Sequence, residues 1–403
     1  MAHDRVGSVL QVQGNLDDAL KEFMSYLAIS GRLAELDYNN TNWQRQLADA
    51  HTRVGQILQA QGEVGEALEE FRVALTISSR LAGEHPNNAG WQQNLAEVHS
   101  HVGDVLEAQG KLGDAQVEFR EYFAISRRLV EQDPRNTLWQ NGLAIAHSRI
   151  GDLLEAQGKL GEAQPEFLES LAISRKVAEE DPGNADWQRA LSVAHSRVGG
   201  LLEAQGKLLL GKALLEFKAY LAISYRLTNL DKSNASWQRE LVVAHNRVGG
   251  VLEAQGKLDE ALKEFKASLA LSRRLTDLDP TDTSWQRELA VAHNRVGNVL
   301  QLQDKLEEAS KEFKASLALI RRLVDLDPSN ASWQRELAVA HTRLARVKTG
   351  SEKLTERIDH LHEAQRILEK LVAGTPDQSR WRQDLNLVVR ELTAAESVFP
   401  NDH

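Results

Sequence analysis

Residues 237–284 read WQRELVVAHNRVGGVLEAQGKLDEALKEFKASLALSRRLTDLDPTDTS, and this stretch decides the fold. Trp237, Leu241, Ala244, Val248 and Leu252 recur at three- to four-residue steps, the period of one helix face. Gln255-Gly256-Lys257 interrupts the run, with glycine as a helix stop signal. A second run follows at Leu258, Ala261, Leu262, Phe265, Leu269 and Leu275, and it closes at Asp279-Pro280 because proline supplies no amide donor. The spacing predicts two helices of about 20 residues, each about 30 Å long at 1.5 Å per residue. An Asn or Ser shortly before the next tryptophan, such as Asn330 or Ser332, can cap the following helix. Neither helix can bury its apolar stripe alone, so repeats must stack, and stacking predicts an all-α solenoid of antiparallel helix pairs.

The unit recurs along the whole chain. All eight tryptophans lie on one ladder, Trp43, Trp91, Trp139, Trp187, Trp237, Trp285, Trp333 and Trp381, at spacings of 48 residues and one of 50. The longer step comes from extra residues near Leu208-Leu209-Leu210. A histidine follows eight residues after each of the first seven: His51, His99, His147, His195, His245, His293 and His341, with His3 in the same register. The expected organisation is one array over 1–403: a partial repeat 1–42, full repeats starting at 43, 91, 139, 187, 237, 285 and 333, and a capping helix 381–403. The opening inside a repeat is expected of a cut piece or an array without its cap. The last full unit departs from the pattern, with Ala345 for a packing glycine, Glu352 for the turn glycine and Leu361 for phenylalanine. The closing helix, with Arg382, Asp384, Arg390 and Glu391, is expected to be a polar cap.

In the quoted unit His245, Gly249, Gln255-Gly256, Ala261, Phe265 and Leu269 resemble the tetratricopeptide repeat pattern, with histidine where that family usually has an aromatic residue. Gly249 and Ala261 stand where two antiparallel helices approach closely. The family unit is about 34 residues. This longer unit adds two turns to each helix, which keeps the apolar faces in phase. The resemblance covers all the units and implies a right-handed superhelix whose first helices line a concave, partner-binding groove.

Composition narrows the function. The 403 residues carry a formal charge of -10, with 42% hydrophobic residues, eight prolines and no cysteine. Disulfides and thiolate metal sites are thereby excluded. No leader pattern and no membrane-length apolar run occurs, so a cytoplasmic location is expected. Ladder histidines of successive units stand about two helix spacings apart, too far to share an ion, and packing in the helix seam is their expected role. No metal and no cofactor are expected. His195-Ser196 adjacency does not orient a hydroxyl toward a base. Gly199-Gly200 and Gly249-Gly250 lie inside helices and not in a phosphate loop. Lys and Arg are interspersed with Asp and Glu, which argues against nucleic acid.

Carried onto this sequence, the inward stripe of the resembled family falls one, five and eight residues after each histidine. It reads Thr52, Gln56, Gln59; Ser100, Asp104, Glu107; Ser148, Asp152, Glu155; Ser196, Gly200, Glu203; Asn246, Gly250, Glu253; and Asn294, Asn298, Gln301. One turn earlier stand Asp49, Glu97, Ile145, Val193, Val243, Val291 and Val339. The candidate partner-binding groove comprises Val193, Ser196, Gly200, Glu203, Val243, Asn246, Gly250, Glu253, Val291, Asn294 and Asn298. A row of valines beside amides and carboxylates suits a peptide or helix held by apolar anchors and directed hydrogen bonds. A merely solvated face is the competing reading. Gly200 and Gly250 either open space for a ligand or let helices approach. No basic lining able to clamp a terminal carboxylate is evident. Arg5, Arg53, Arg149, Arg197, Arg247, Arg295 and Arg343 recur two residues after histidine, with His101 as the exception. They read as partners of carboxylates in adjacent repeats, or as partner-binding cations.

Residues 1–186 hold 16 Lys and Arg against 29 Asp and Glu, and residues 187–403 hold 32 against 29. The acidic half can steer a basic partner, and the asymmetry also allows head-to-tail self-association. The expectation is a non-catalytic scaffold that binds a protein or peptide in its groove, with no nucleic acid or membrane partner. The alternatives are a regulatory or sensor segment of a larger signalling protein, and a self-assembling structural array.

Overall fold

The computed structural model describes residues 2–347, 353–375 and 378–398. Among the described residues there are seventeen α-helices, one 3-10 turn and no strand. They form two compact units, Met1–Gln205 and Gly206–His403. The division falls at the two-residue insertion, which becomes the 3-10 turn Lys207–Leu209.

In the first unit α1 (Ala2–Val12) pairs with α2 (Leu16–Leu36) and α3 (Thr41–Gln61) with α4 (Val64–Glu84). The pairs α5 (Ala89–Ala108) with α6 (Leu112–Gln132) and α7 (Thr137–Ala156) with α8 (Leu160–Glu180) follow, and then α9 (Ala185–Ala204). The second unit opens with α10 (Leu210–Leu230), followed by the pairs α11 (Ala235–Ala254) with α12 (Leu258–Leu278) and α13 (Thr283–Leu302) with α14 (Leu306–Leu326). It continues through α15 (Ala331–Val347) and α16 (Leu354–Gly374) to α17 (Ser379–Glu396). Within each unit every helix packs on its neighbours in the chain, so each unit is an α-solenoid of stacked helix pairs.

The caps follow from the sequence. Asn40, Asn136 and Asn234 accept a hydrogen bond from the amide of Trp43, Trp139 and Trp237. Of the two residues offered before Trp333, Asn330 is the cap, at 3.1 Å from the tryptophan amide, and Ser332 is not. Gly62, Gly110, Gly158 and Gly256 end helices at φ +73 to +88, the left-handed region where a Cβ is penalised. Asp304 takes that place after α13 at φ 59, a substitution that periodicity alone did not flag.

Inside each pair a glycine faces a phenylalanine. A Cβ on Gly151 would stand 2.6 Å from the Phe167 ring, and one on Gly249 would stand 2.7 Å from Phe265. These phenylalanines are fully buried. The last pair exchanges both partners, and Ala345 and Leu361 share one buried cluster. A slightly larger residue on one helix is matched by a smaller one on the other. Glu352 lies outside the described residues.

The closing helix uses two of its charges inward. Asp384 pairs with Arg335 at 2.7 Å and Glu391 with Arg346 at 2.7 Å, both on α15. Two of its charges therefore tie it to the previous repeat, while Val388, Leu392 and Ala395 are buried. Residues 399–403 of the expected 381–403 segment lie outside the described residues.

Candidate partner-binding clefts

The histidine ladder joins the two helices of a repeat. His3, His51, His99, His147, His245 and His293 place Nδ1 2.6–2.7 Å from the carboxylate of Glu22, Glu70, Glu118, Glu166, Glu264 and Glu312, nineteen residues on. The fixed offset of nineteen residues is the sequence signal that marks these glutamates. In the last pair His360 stands where the glutamate would be, 3.0 Å from His341. Burial and the neighbouring His360 lower the His341 pKa to about 4. Among the described residues no group of three or more His, Cys, Asp or Glu could hold a metal ion. No described helix is long and apolar enough to cross a membrane.

The recurring arginines make two kinds of contact. In the first, Arg149 Nη2 lies 2.8 Å from Asp104 and Arg197 Nη2 lies 3.1 Å from Asp152, each on the preceding first helix. Arg53 is 3.6 Å from Asp4. In the second, Arg247 stands over the Phe217 ring and Arg295 over the Phe265 ring. His101 stacks on Phe71 at 5.1 Å, so the one exception to the arginine pattern keeps the contact with the ring of the preceding repeat.

These pairs hold Asp104 and Asp152 of the stripe against the next first helix. Their side chains are only 17% and 11% exposed and lie in the seam between first helices. Burial raises both carboxyls to about 6, opposed by Arg149 and Arg197 respectively. Burial, with Arg149 and Arg53 nearby, lowers His101 to about 4.

The hydrophobic row is exposed. Ile145 and Val193 on α7 and α9 of the first unit, and Val243 and Val291 on α11 and α13 of the second, are 38–40% accessible. A Cβ on Gly200 or Gly250 would meet nothing within 4 Å, so neither glycine is required for close helix packing. Ser196, Glu203, Asn246, Glu253, Asn294 and Asn298 are half-buried. The Oδ1 atoms of Asn246 and Asn294 are buried without a hydrogen-bond partner.

Two clefts gather part of this row. One of about 400 Å³ lies between α7 and α9, walled by Ile145, Arg149, Asp152, Val193 and Arg197, with Ser170 and Ser174 of α8 beneath. The other, about 380 Å³, involves α13 and α15 and contains Val291, Asn294 and Asn298. Val243, Asn246 and Gly250 belong to α11 and line neither cleft.

The second cleft overturns the expectation of no basic lining, because Arg295, Arg335, Arg343 and Arg380 all border it with Glu336. Burial and the neighbouring Arg346 and Arg295 lower the Arg343 pKa from the ordinary guanidinium value. Three of these cations come from α13 and α15, and Arg380 belongs to α17. No sequence window shows them as a cluster.

No protein-family description and no curated protein matches the chain. Solved structures do. The apo form of the quorum sensor NprR from B. thuringiensis is similar over 96% of this chain and 99% of its own, at 13% identity and a TM-score of 0.50. A signal transduction ATPase with numerous domains from Pyrococcus horikoshii, described as having a tetratricopeptide repeat sensor, is similar over 93% of this chain and 52% of its own. Its identity is 9% and its TM-score 0.51. At such identities the likeness is one of fold: tetratricopeptide-like stacked helix pairs.

Proposed function

We propose that the chain is a non-catalytic interaction scaffold whose first-helix face holds a peptide or helical segment of a partner protein. The exposed Ile145, Val193, Val243 and Val291 row is the observation that carries this reading. Water-facing valine is unfavourable for solubility and helix propensity alike. Its repetition at one register, bordering clefts with unpartnered amide oxygens, fits apolar anchoring beside directed hydrogen bonds. The organisation proposed for this role is the array of repeats beginning at 43, 91, 139, 187, 237, 285 and 333, after the partial repeat 1–42 and before the cap at 381. The proposed contact region is 187–300, centred on Val193, Asn246, Gly250, Asn294 and Asn298, with Ser196, Gly200, Glu203, Val243, Glu253 and Val291 around them.

A displayed random-peptide library, selected on the full chain, tests this. Gly250→Arg should abolish capture while leaving the helical spectrum intact, because the new side chain starts in open space. Asn294→Ala should weaken it by about 1 kcal/mol, one neutral hydrogen bond. Normal capture by Gly250→Arg, with loss on neutralising Glu107 and Glu155, would move the site to the acidic half.

A second reading, a sensor segment of a larger signalling protein, is favoured by the fold likeness to the Pyrococcus protein with its repeat sensor, about half of which this chain spans. Effector sequence adjoining the chain in its gene would support it.

A further inference from the structure

The cleft between α7 and α9 has small residues at two facing positions, Ser170 and Ala190, whereas the equivalent cleft between α13 and α15 carries Glu336 in place of Ala190. On the second helices of the repeats, Tyr26, Ala74, Tyr122 and Ser170 occupy one register, and Tyr220 follows after the insertion. Tyr122 crosses to the next first helix and donates to the Gly142 carbonyl at 2.9 Å. Tyr220 does the same to the Glu240 carbonyl at 3.1 Å. The counterpart carbonyl above Ser170 is that of Ala190, and Ala190 lines the cleft. Ser170 is 4% exposed, and the small residues elsewhere in this register, Ala74, Ser268 and Ser316, are fully buried. After Ser268 and Ser316 the position matching Ala190 is Glu288 or Glu336, each paired with an arginine of the preceding repeat.

We propose that this cleft receives the aromatic side chain of a bound peptide, with tyrosine preferred, in the space that Tyr122 fills one repeat earlier. The proposal rests on the reading of the first-helix face as a peptide groove. The walls supply apolar contact from Ile145, Val193, Ala144 and Ala194. Arg149 and Arg197 border the same space, and guanidinium groups of this chain already sit over rings, as Arg239 does over Trp285 at 5.6 Å. A phenol hydroxyl entering as Tyr122 does would meet the Ala190 carbonyl. Asn141 Oδ1, buried without a partner in the same cleft, is a second acceptor. The volume, about 400 Å³, suits a small ligand group. A Cβ at Gly142 would lie 3.9 Å from the Tyr122 hydroxyl, ordinary contact, so the methyl of Ala190 does not bar a ring.

The test is titration of the full chain with p-cresol, the side-chain analogue of tyrosine, read by the methyl resonances of Ile145 and Val193. Saturable shifts are expected in wild type and in Ser170→Ala, and at least tenfold weaker binding in Ser170→Tyr, which carries its own ring. Ala190→Leu fills the space from the opposite wall and should lose binding equally, which covers the case of a poorly folded Ser170→Tyr. No saturable shift in wild type, unchanged binding in both filled variants, or cyclohexanol binding as tightly as p-cresol overturns the proposal. Peptides selected by display separate it from the groove reading. Capture that depends on an aromatic residue and drops tenfold in Ser170→Tyr supports the pocket. Capture lost in Gly250→Arg but indifferent to Ser170→Tyr and to aromatic content keeps the groove and overturns the pocket. Saturable p-cresol binding with no peptide captured overturns the groove reading and restricts the pocket to free aromatic ligands, which refutes its role in peptide binding.

Discussion

The two units build the same repeat but differ in how they tie neighbouring first helices together. In the first unit the ties are Asp104–Arg149 and Asp152–Arg197, toward the carboxyl ends of α5, α7 and α9. In the second, Arg239–Glu288, Arg287–Glu336 and Arg335–Asp384 join the opening turns of α11, α13, α15 and α17, and Arg346–Glu391 joins α15 and α17 near their other ends. The first set is largely buried on its acidic side, and the second set is more open to water. What is common to both units, the Gly–Phe contact, the cap and the His–Glu pair, is what the helix pair needs to form. What differs lies on the face between first helices, which is free to diverge because pair formation does not depend on it.

The largest expected effect should be the same in both units. Phe167→Ala and Phe265→Ala each remove a fully buried ring and should cost about 3–5 kcal/mol in chemical denaturation. A large difference between them would mean that the repeats do not share one core. The ties come next. Arg149→Met strands a mostly buried carboxylate and should cost about 2–3 kcal/mol, whereas Arg287→Met breaks an open pair and should cost under about 1 kcal/mol. Only the second effect should fade appreciably in high salt. Equal, salt-insensitive losses would erase the contrast.

Glycines give a smaller effect of opposite sign. Gly250→Ala should raise stability by about 1 kcal/mol, since a methyl there meets open space and glycine is a poor helix former. Gly151→Ala drives a methyl into the Phe167 ring and should lower it. Thermal melts of the two variants check the pair of signs.

The smallest effect is the pH dependence of the buried seam. Asp152, raised to about 6, holds its proton more tightly in the folded chain, so its contribution to stability falls as pH rises from about 4 to 6. His101, lowered to about 4, is protonated more readily when unfolded, so its contribution falls as pH drops from about 6.5 to 4. Relative to wild type, Asp152→Asn should therefore gain on moving from pH 5 to pH 7, and His101→Gln should gain on moving from pH 7 to pH 5. Melts at the two pH values showing shifts of the same sign would break this assignment.

Much of the architecture was legible because its causes are local. Helix length, the caps at Asn330 and its counterparts, and the stop at Gly256 follow from periodicity and backbone chemistry within one unit. The Gly–Phe contact could be anticipated because Gly249 and Phe265 recur at fixed positions. The glutamates beside the histidines were missed, although a fixed offset of nineteen residues would have revealed them. Asp104 was read as a groove residue from its register alone. Register sets the direction in which a side chain leaves its own helix, and it says nothing of an arginine arriving from the next one.

The sequence by itself determined that this chain is a repeated pair of long helices, because period, cap and stop signals act over a few residues. Which polar groups meet across repeats, that four arginines border one cleft and that Ser170 and Ala190 line another are set by tertiary packing. Those outcomes depend on the volumes and charges of side chains from three helices, dozens of residues apart in the chain, converging on one space.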